Sequence, residues 1–371
     1  MRASAIAGLI LANSNDTRLS RLTAGRTMAA VPYGARYRLI DFPLSNLANA
    51  GVSSVGIVTK ENYRSLMGHI GSGVSWDLDR KNGGIYLLSP YVTSEVKRYT
   101  GTVDALHGAL HYLERCKAEY MVLCYGDTIA NLDITAMVEA HMANRADITV
   151  AYHHGKAPVG NQETLLPVLA QDGRITRFDS VSDTEEVDFC MGVFVVARTL
   201  LMQIIKDAYA EGQLQFAGDV LAHLPDRLHI FGYEHTGFVA VMDSTDTYYQ
   251  ASMALLDPQI RSQLFNKRRP VFTKTRDDMP TRYGTRSAVE NCLIADGCVI
   301  NGTVKNSIVF RGVTVEKGAV VKNCILMQGT VVKKGTRLEY VVSDKNVVIR
   351  EEMTLKGTPE NRVFLEKNQT V

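Results

Sequence analysis

A six-residue repeat near the carboxyl end of the chain limits its fold more than any other feature. The repeat follows Cys292 and opens with the segment Ile294–Gly302. Glycines and small or β-branched residues then continue the same interval: Gly312 and Gly318, Gly329 and Gly335, and Ala319, Ile325 and Val331. Short β-branched units with turn glycines at this period predict a parallel β-helix, in which apolar side chains stack inside successive coils.

Parallel β-helices also occur in acyltransferases, which need a histidine base in the coils. No histidine follows His235 in this sequence. We therefore expect the repeat domain to be a rigid assembly module. Its open ends and flat faces suit self-association or docking to a homologous subunit.

The N-terminal part of the chain alternates apolar runs with helical patterns, which predicts a mostly parallel α/β sheet. The first apolar run, Ala5–Ala12, suits a central strand, and a polar loop follows it. Open α/β sheets bind ligands at the carboxyl ends of their strands. This loop has no glycine between Gly8 and Gly25, however, and Asp16 adds a negative charge. The loop therefore has the position of a phosphate-binding loop but lacks the glycines through which such loops bind phosphate.

At 371 residues the chain is long enough for two domains. We place an α/β domain at residues 1–250, a linker with a connecting helix at 251–287 and the β-helix at 288–371. The linker region contains Pro258, Pro270 and several basic residues.

The bulk composition gives no support for a nucleic-acid or membrane partner, and we expect neither. A formal charge of +2 gives no indication of nucleic-acid binding, and the short cluster Lys267–Arg269 suits a solvated linker. Because no signal-peptide pattern or long apolar run occurs, we expect a cytoplasmic protein without membrane attachment. The six cysteines have no C-x-x-C spacing, which favours reduced, buried thiols.

Residues Leu11–Asn46 resemble the N-terminal signature of the glucose-1-phosphate adenylyltransferase (ADP-glucose pyrophosphorylase) family. The chain retains the following residues of that signature: Thr17-Arg18-Leu19, Leu22-Thr23, Arg26, Ala30-Val31, Tyr37–Phe42 and Leu44-Ser45-Asn46. The resemblance covers nearly the whole chain. It implies an α/β fold with a Rossmann-like, mostly parallel nucleotidyltransferase sheet and a C-terminal left-handed parallel β-helix.

The reactive positions of this signature are altered. The loop glycines of the family are replaced by Asn13, Ser14 and Asp16. Met28 replaces a lysine that the family associates with activator response, so we do not expect a sugar bisphosphate to bind there. What remains of the nucleotide loop is Asn13, Ser14, Thr17 and Arg18. The pattern resembles the regulatory, glycogen-biosynthesis D-type subunit that some bacteria pair with a catalytic subunit.

The segment Tyr99–Leu106 resembles the family's Tyr-Arg-Gly-Thr-Ala-Asp-Ala motif, which touches the nucleotide base. Gly101 and Thr102 match that motif, whereas Thr100 replaces its arginine. The alternative is purely structural, with Thr102 as the N-cap of the helix that runs through His107 to Cys116.

The apolar run Tyr120–Asp127 predicts a buried strand that ends in Gly126 and Asp127. In the family an aspartate at this position holds Mg²⁺, which prefers rigidly placed carboxylate oxygens. We expect no tightly bound cofactor, with Mg²⁺ at Asp127 if any activity remains. Alternatively, Asp127 caps the following helix, a role that Asp133 could serve equally well.

The sugar-phosphate side of the predicted site has lost more of its polar residues. Ser180 and Val181 stand where the family has a glutamate and a lysine, and Val241 matches its second metal-binding aspartate. Asp243 lies two residues further on and would share a face with Val241 if the stretch were extended. We consider a structural role for Asp243 more probable than a shifted metal ligand.

The glycine-bearing loop Gly71–Gly84 contains Trp76, the single tryptophan of the chain. Aromatic residues are enriched at protein interfaces and in ligand sites. We expect Trp76 to serve an interface, with ligand contact and plain packing as alternatives.

Three functions follow from these observations. The favoured one is a non-catalytic or weakly catalytic regulatory subunit that acts with a catalytic ADP-glucose pyrophosphorylase homologue, in a heterotetramer and with some self-association. The second is an active nucleotidyltransferase with Mg²⁺ on Asp127 and with Arg18 steadying the triphosphate of ATP. The third is a stand-alone sensor of nucleotides or sugar phosphates.

Overall fold

A computed structural model describes residues 5–12, 19–89, 99–158, 163–181 and 186–371. Its N-terminal strands, in chain order, are β1 (Ile6–Leu11), β2 (Pro32–Tyr33), β3 (Tyr37–Arg38), β4 (Ser54–Val58), β5 (Gly84–Leu88), β6 (Tyr120–Tyr125), β7 (Thr128–Ala130), β8 (Ile148–Lys156), β9 (Leu165–Leu169), β10 (Ile175–Ser180), β11 (Glu186–Ala197), β12 (Ile230–Glu234) and β13 (Val239–Val241). The helices are α1 (Ser20–Thr23), α2 (Asp41–Asn49), α3 (Arg64–Ile70), α4 (Thr102–Gly108), α5 (Leu110–Arg115), α6 (Ile134–Ala143), α7 (Arg198–Ala210), α8 (Thr245–Ala254) and α9 (Pro258–Leu264).

Seven strands form the central sheet, in the order β12-β8-β11-β6-β1-β4-β5. Strand β1 pairs in parallel with β4 and β6, and β12 pairs in parallel with β8. Strand β11 is antiparallel to both of its neighbours. All six residues of β1 are buried, because helices cover both faces of the sheet at its centre. The predicted mostly parallel α/β sheet is confirmed.

The carboxyl-terminal strands wind into a β-helix. They are β14 (Arg282–Tyr283), β15 (Ala288–Ile294), β16 (Val299–Ile300), β17 (Thr303–Val309), β18 (Thr314–Val315), β19 (Val320–Lys322), β20 (Ile325–Leu326), β21 (Val331–Val332), β22 (Arg337–Glu339), β23 (Val341–Ser343), β24 (Val348–Ile349), β25 (Thr354–Lys356) and β26 (Val363–Leu365). All pairings between these strands are parallel. Thr303, Val320 and Arg337 are partners in neighbouring coils, so the coils between them take 17 residues each. The predicted left-handed parallel β-helix is confirmed.

The turn glycines of the repeat have the backbone conformation that the sequence analysis required of them. Gly312, Gly318, Gly329 and Gly335 all have φ between 68° and 74°. Asparagine takes the same left-handed conformation at other corners, including Asn306 (φ 45°). Because asparagine tolerates this region better than most residues, it extends the repeat where glycine is absent.

The two domains share one hydrophobic core. Met28, Tyr33 and Phe42 from the N-terminal domain belong to the same buried cluster as Ile308 and Ile325 from the β-helix. Helix α8 ends at Ala254, α9 follows, and residues 265–281 contain no regular element before β14. The β-helix is therefore packed directly against the N-terminal domain.

Ion pairs also join the domains. Asp344 Oδ1 and Oδ2 each lie 2.7 Å from Arg26 Nη2, and both side chains are nearly inaccessible. Arg362, in the last part of the β-helix, pairs with Asp246 and lies 4.2 Å from the ring centroid of Tyr249. These contacts fix how the β-helix sits on α8 and on the segment after α1.

Trp76 packs in the interior of the chain. Its side chain is 2% exposed and packs against the His69 ring, with the ring centroids 5.9 Å apart. The tryptophan is therefore not an exposed anchor, and an interface role for the loop Gly71–Gly84 stays a prediction. Within the described ranges, no helix is long and apolar enough to cross a lipid bilayer.

Candidate functional site

The cleft predicted from the sequence lies at the carboxyl ends of β1, β4 and β6. Strands β1 and β6 run side by side and end together at Leu11 and Tyr125. The loop after β1 falls outside the described residues, and with it the predicted positions Asn13, Ser14, Asp16, Thr17 and Arg18. The remaining walls of the cleft are described.

Gly101 and Thr102 lie at the start of α4, but Thr102 is not its N-cap. The helix begins at Thr102 and Gly101 holds the cap position, so the predicted cap was wrong by one residue. A Cβ atom on Gly101 would lie 2.1 Å from the Leu214 carbonyl oxygen. Close packing against another segment is therefore enough to require glycine here, whether or not a nucleotide binds.

The Thr102 hydroxyl instead takes part in a buried network centred on Glu163. It donates to Glu163 Oε1 and accepts a hydrogen bond from the Phe216 backbone N–H. Tyr125 Oη and the Ala217 N–H each donate to Glu163 Oε2 at 2.8 Å. Burial raises the pKa of Glu163 above its usual value, and the hydrogen bonds from these donors offset part of that increase. Sequence reasoning missed Glu163, because no local pattern marks a carboxylate whose partners come from three distant segments.

Asp127 lies directly after β6 and is 1% exposed. Its backbone carbonyl accepts a hydrogen bond from the Met242 N–H at 2.9 Å. It does not cap α6, since Asp133 Oδ1 accepts from the Ala136 N–H at 3.0 Å in that position. Of the two alternatives for the α6 cap, Asp133 is the correct one.

Asp243 has a local partner at the start of α8. Strand β13 ends at Val241, so Asp243 lies between this strand and α8. Its Oδ1 accepts a hydrogen bond from the Thr247 hydroxyl, inside α8. Within the described part of the chain, no group of three or more His, Cys, Asp or Glu side chains is placed to hold a metal ion. Mg²⁺ at Asp127 stays a prediction.

Val181 and Val241, two predicted losses from the substrate site, belong to one apolar cluster. Val241 is 8% exposed and is buried together with Ala157 and Phe189. Val181 packs against the same cluster from the end of β10. The positions that the resemblance matches to a lysine and an aspartate therefore carry apolar side chains of one cluster.

Met28 is also part of the hydrophobic interior. Its side chain is fully buried in the core that the two domains share. A lysine ammonium at this depth would need a partner that the surrounding apolar residues do not provide.

A second candidate site lies where the N-terminal domain meets the β-helix. A small cavity there is open to solvent. We call it the interdomain cavity, and six of its lining side chains are cationic: Arg36, Arg38, Lys274, Arg276, Arg311 and Lys345. Sequence reasoning missed this site because its cations come from four separate segments.

The cations of the interdomain cavity perturb one another. Burial, together with the charges of Arg38, Arg26 and Arg276, lowers the pKa of Lys345 to about 7. Burial lowers the pKa of Arg38 to about 10, with a further lowering by Arg26 and Arg276. Nearby carboxylates offset these charges in part. The Arg311 Nε lies 3.7 Å from Asp278 and 3.9 Å from Asp296.

Several guanidinium nitrogens near the cavity have no hydrogen-bond acceptor among the described residues. They are Arg311 Nε and Nη2, on a side chain that is 8% exposed, and Arg26 Nη1. A buried charged donor without an acceptor has a large desolvation penalty, so such a group usually has a hydrogen-bond acceptor. These unpaired guanidinium nitrogens favour the binding of a small anion.

Comparison with known proteins identifies a matching family for each domain. A nucleotidyl transferase family model matches residues 7–212, more than half of the chain, and a GlmU-like C-terminal hexapeptide model matches residues 277–362. The glycogen biosynthesis protein GlgD of Bacillus subtilis is 36% identical over 361 residues, which is 97% of this chain and 95% of that protein.

Other relatives include both kinds of protein that the sequence analysis considered. GlgD of Geobacillus stearothermophilus is 35% identical over 84% of this chain and 82% of its own length. Glucose-1-phosphate adenylyltransferase of Lachnospira eligens is 33% identical over 83% of this chain and 74% of its own length. The resemblance seen in the sequence is confirmed, and the chain belongs to the nucleotidyl transferase family, in the group that contains GlgD and the glucose-1-phosphate adenylyltransferases.

Proposed function

We propose that this protein is a non-catalytic or weakly catalytic regulatory subunit of glucose-1-phosphate adenylyltransferase in bacterial glycogen biosynthesis. It would modulate a catalytic homologue that makes ADP-glucose from ATP and glucose 1-phosphate. The names of its relatives support the pathway. The observation that carries the regulatory assignment is the apolar cluster around Val181 and Val241.

The cluster weakens catalysis on two counts. A valine at position 181 cannot pair with a sugar phosphate, and a valine at 241 cannot bind a metal ion. A charge-assisted contact contributes roughly 1.5–3 kcal/mol. Losing two such contacts lowers turnover by about a hundredfold or more. We accordingly propose that the chain holds no tightly bound cofactor.

The interdomain cavity supports an effector-binding role for the subunit. Six cationic side chains line one solvent-open cavity, at the junction through which the β-helix touches the N-terminal domain. A ligand with two or more negative charges, such as a phosphorylated metabolite, would satisfy them. Regulation at this cavity does not require an intact catalytic cleft.

The first coil of the β-helix supports assembly with the catalytic homologue and with further copies of this chain. Met279, Tyr283 and Val289 are exposed by 79%, 53% and 41%, which is unusual for large apolar side chains. Strands β14 and β15 each pair on one side only among the described strands. An uncovered sheet edge with apolar side chains suits a subunit interface. We propose a cytoplasmic heterotetramer built through these coils.

Measuring ADP-glucose formation tests this function directly. The assay compares this chain alone, the catalytic homologue alone and the two mixed, each with ATP, glucose 1-phosphate and Mg²⁺. We expect negligible product from this chain alone, and a changed rate or substrate affinity of the homologue on mixing. Robust synthesis by this chain alone would refute the proposal and establish the active alternative.

The interdomain cavity also favours a second candidate, a stand-alone anion sensor without a catalytic partner. Size-exclusion chromatography of the two purified proteins separates the alternatives. Co-elution supports the regulatory subunit, whereas separate elution with retained anion binding supports the sensor.

A further inference from the structure

We infer that residues 213–220 form a strap that closes on one wall of the cleft, and that protonation of Glu163 controls its closure. The strap contains a π-helical turn, Phe216–Val220, and such turns are frequent at functional sites. It meets the cleft at Thr102, which lines a small pocket at the carboxyl ends of β1 and β4. Opening the strap would release this wall, independently of the regulatory role proposed above.

Backbone hydrogen bonds attach the strap to the start of α4. The Val103 N–H donates to the Leu214 carbonyl at 3.0 Å, and the Phe216 N–H donates to the Thr102 hydroxyl at 2.7 Å. The Leu214 side chain is 50% exposed, so little apolar packing holds this end of the strap. Because single hydrogen bonds contribute little net stability, a modest change at one of them can open this end.

Glu163 connects the strap to two further segments. Its Oε2 accepts hydrogen bonds from the Ala217 N–H and the Tyr125 hydroxyl, each at 2.8 Å, and its Oε1 accepts one from the Thr102 hydroxyl. The residue is 6% exposed. One buried carboxylate therefore holds the strap, the end of β6 and the start of α4 together.

The network accommodates both protonation states of Glu163. The Thr102 hydroxyl lies near two acceptors, Glu163 Oε1 and, at 3.4 Å, Gln215 Oε1. When Glu163 is ionised, Thr102 donates to it. When Glu163 takes a proton from solvent, its own O–H donates to the Thr102 oxygen, and the Thr102 hydroxyl turns toward Gln215. Only the ionised state places a charge in the buried network.

Two titratable groups face Glu163 from the elements packed against it. Asp219 belongs to the strap, where its Oδ2 accepts the N–H groups of Leu214 and Gln215. Tyr125 ends β6, and burial raises its pKa, so its hydroxyl stays protonated and donates. Burial, and to a smaller extent the negative charge of Asp219, raises the pKa of Glu163 above its usual value.

The raised pKa fixes the direction in which the strap responds to pH. Opening the strap hydrates the Glu163 carboxyl and returns its pKa toward the ordinary value, so protonation favours the closed strap. Closure is therefore strongest below the ordinary glutamate pKa. It weakens as pH rises through the higher value of the closed state.

Hydrogen exchange of the full-length chain between about pH 5 and pH 7 tests this switch. The readout is the protection factor of the peptide that spans residues 213–220, corrected for the intrinsic pH dependence of exchange. We expect protection in the wild-type chain to fall roughly threefold or more across this range. Protection that stays constant or rises with pH overturns the inference.

The variant Glu163→Gln separates a switch from a purely structural contact. Glutamine cannot ionise, and its amide can donate to the Thr102 oxygen as the protonated acid does. We expect this variant to keep, at every pH, the high protection of the wild-type chain in acid. Glu211→Gln is the matched control, because it neutralises an exposed glutamate beside the strap and should keep the wild-type pH response. Protection lost at every pH in Glu163→Gln would show a purely structural contact and overturn the switch.

Tyr125→Phe covers the outcome that Glu163→Gln does not fold. It removes one hydrogen bond to the carboxylate and leaves the ring in the core. Because that hydrogen bond lowers the pKa of Glu163, we expect the fall in protection to move to higher pH. An unchanged midpoint overturns the switch, while the ADP-glucose assay tests the regulatory subunit independently.

Discussion

Restoring a metal-type carboxylate at position 241 should destabilise the protein and should not activate it. Val241 is 8% exposed, pairs with Thr128 across β13 and β7, and is buried together with Phe189. Val241→Asp removes a buried apolar side chain, which loses about 1.5 kcal/mol or more. It also places a carboxylate among apolar neighbours, at a further penalty of roughly 2 kcal/mol. The expected loss is therefore about 3–4 kcal/mol at pH 7.

The pH dependence of this loss identifies its cause. Burial raises the pKa of the new carboxyl in the folded state, so the variant is most stable below the ordinary aspartate pKa and loses stability as pH rises through the folded value. Val241→Asn is the control, because asparagine has nearly the same shape as aspartate and no charge. Urea unfolding between about pH 5 and pH 8 should show the extra loss in Val241→Asp only.

ADP-glucose synthesis provides the second readout for the same variant. We expect no gain, because position 181 still lacks a lysine and the loop after β1 still lacks its glycines and carries Asp16. A Val241→Asp protein that is as stable as the wild type and synthesises ADP-glucose would refute this reasoning. The apolar cluster would then be incidental to the loss of catalysis.

Three further outcomes follow from the described contacts. The affinity of the interdomain cavity for sulfate should fall as pH rises from about 6 to 8, because Lys345 has a pKa of about 7 and loses its charge in this range while sulfate keeps its own. Titration calorimetry of the Lys345→Met variant should show a sulfate affinity about tenfold weaker or more at pH 6, and this affinity should not change with pH. Gly101→Ala should destabilise by roughly 1–3 kcal/mol in urea unfolding, because its Cβ would collide with the Leu214 carbonyl. Gly25→Ala is the control with open space, and equal stabilities of the two variants would contradict the packing argument. Trp76 fluorescence should resist iodide quenching, with or without the catalytic homologue, and strong quenching would contradict its burial.

The central sheet does not depend on the altered positions 181 and 241. Strands β1 and β6 lie at the centre of this sheet, and their buried side chains are apolar. Val181 follows β10 and Val241 ends β13, and these two strands belong to separate two-stranded sheets. The proposed loss of catalysis is therefore compatible with a retained fold.

The sequence alone determined the architecture, because its signals are local. The β-helix follows from apolar residues and turn glycines at a short interval, and glycine is what the positive φ at Gly312 and Gly329 requires. The alternation of apolar runs and helical patterns likewise predicted the α/β sheet. The cap at Asp133 depends on a residue only three positions away.

The tertiary structure alone decided where distant residues meet. Trp76 is buried against His69, and the six cations of the interdomain cavity gather from both domains. Arg26 finds Asp344 across 318 positions of sequence. Such pairs are selected by long-range packing and by the cost of leaving a buried charge without a partner, and neither has a signature in the neighbouring residues.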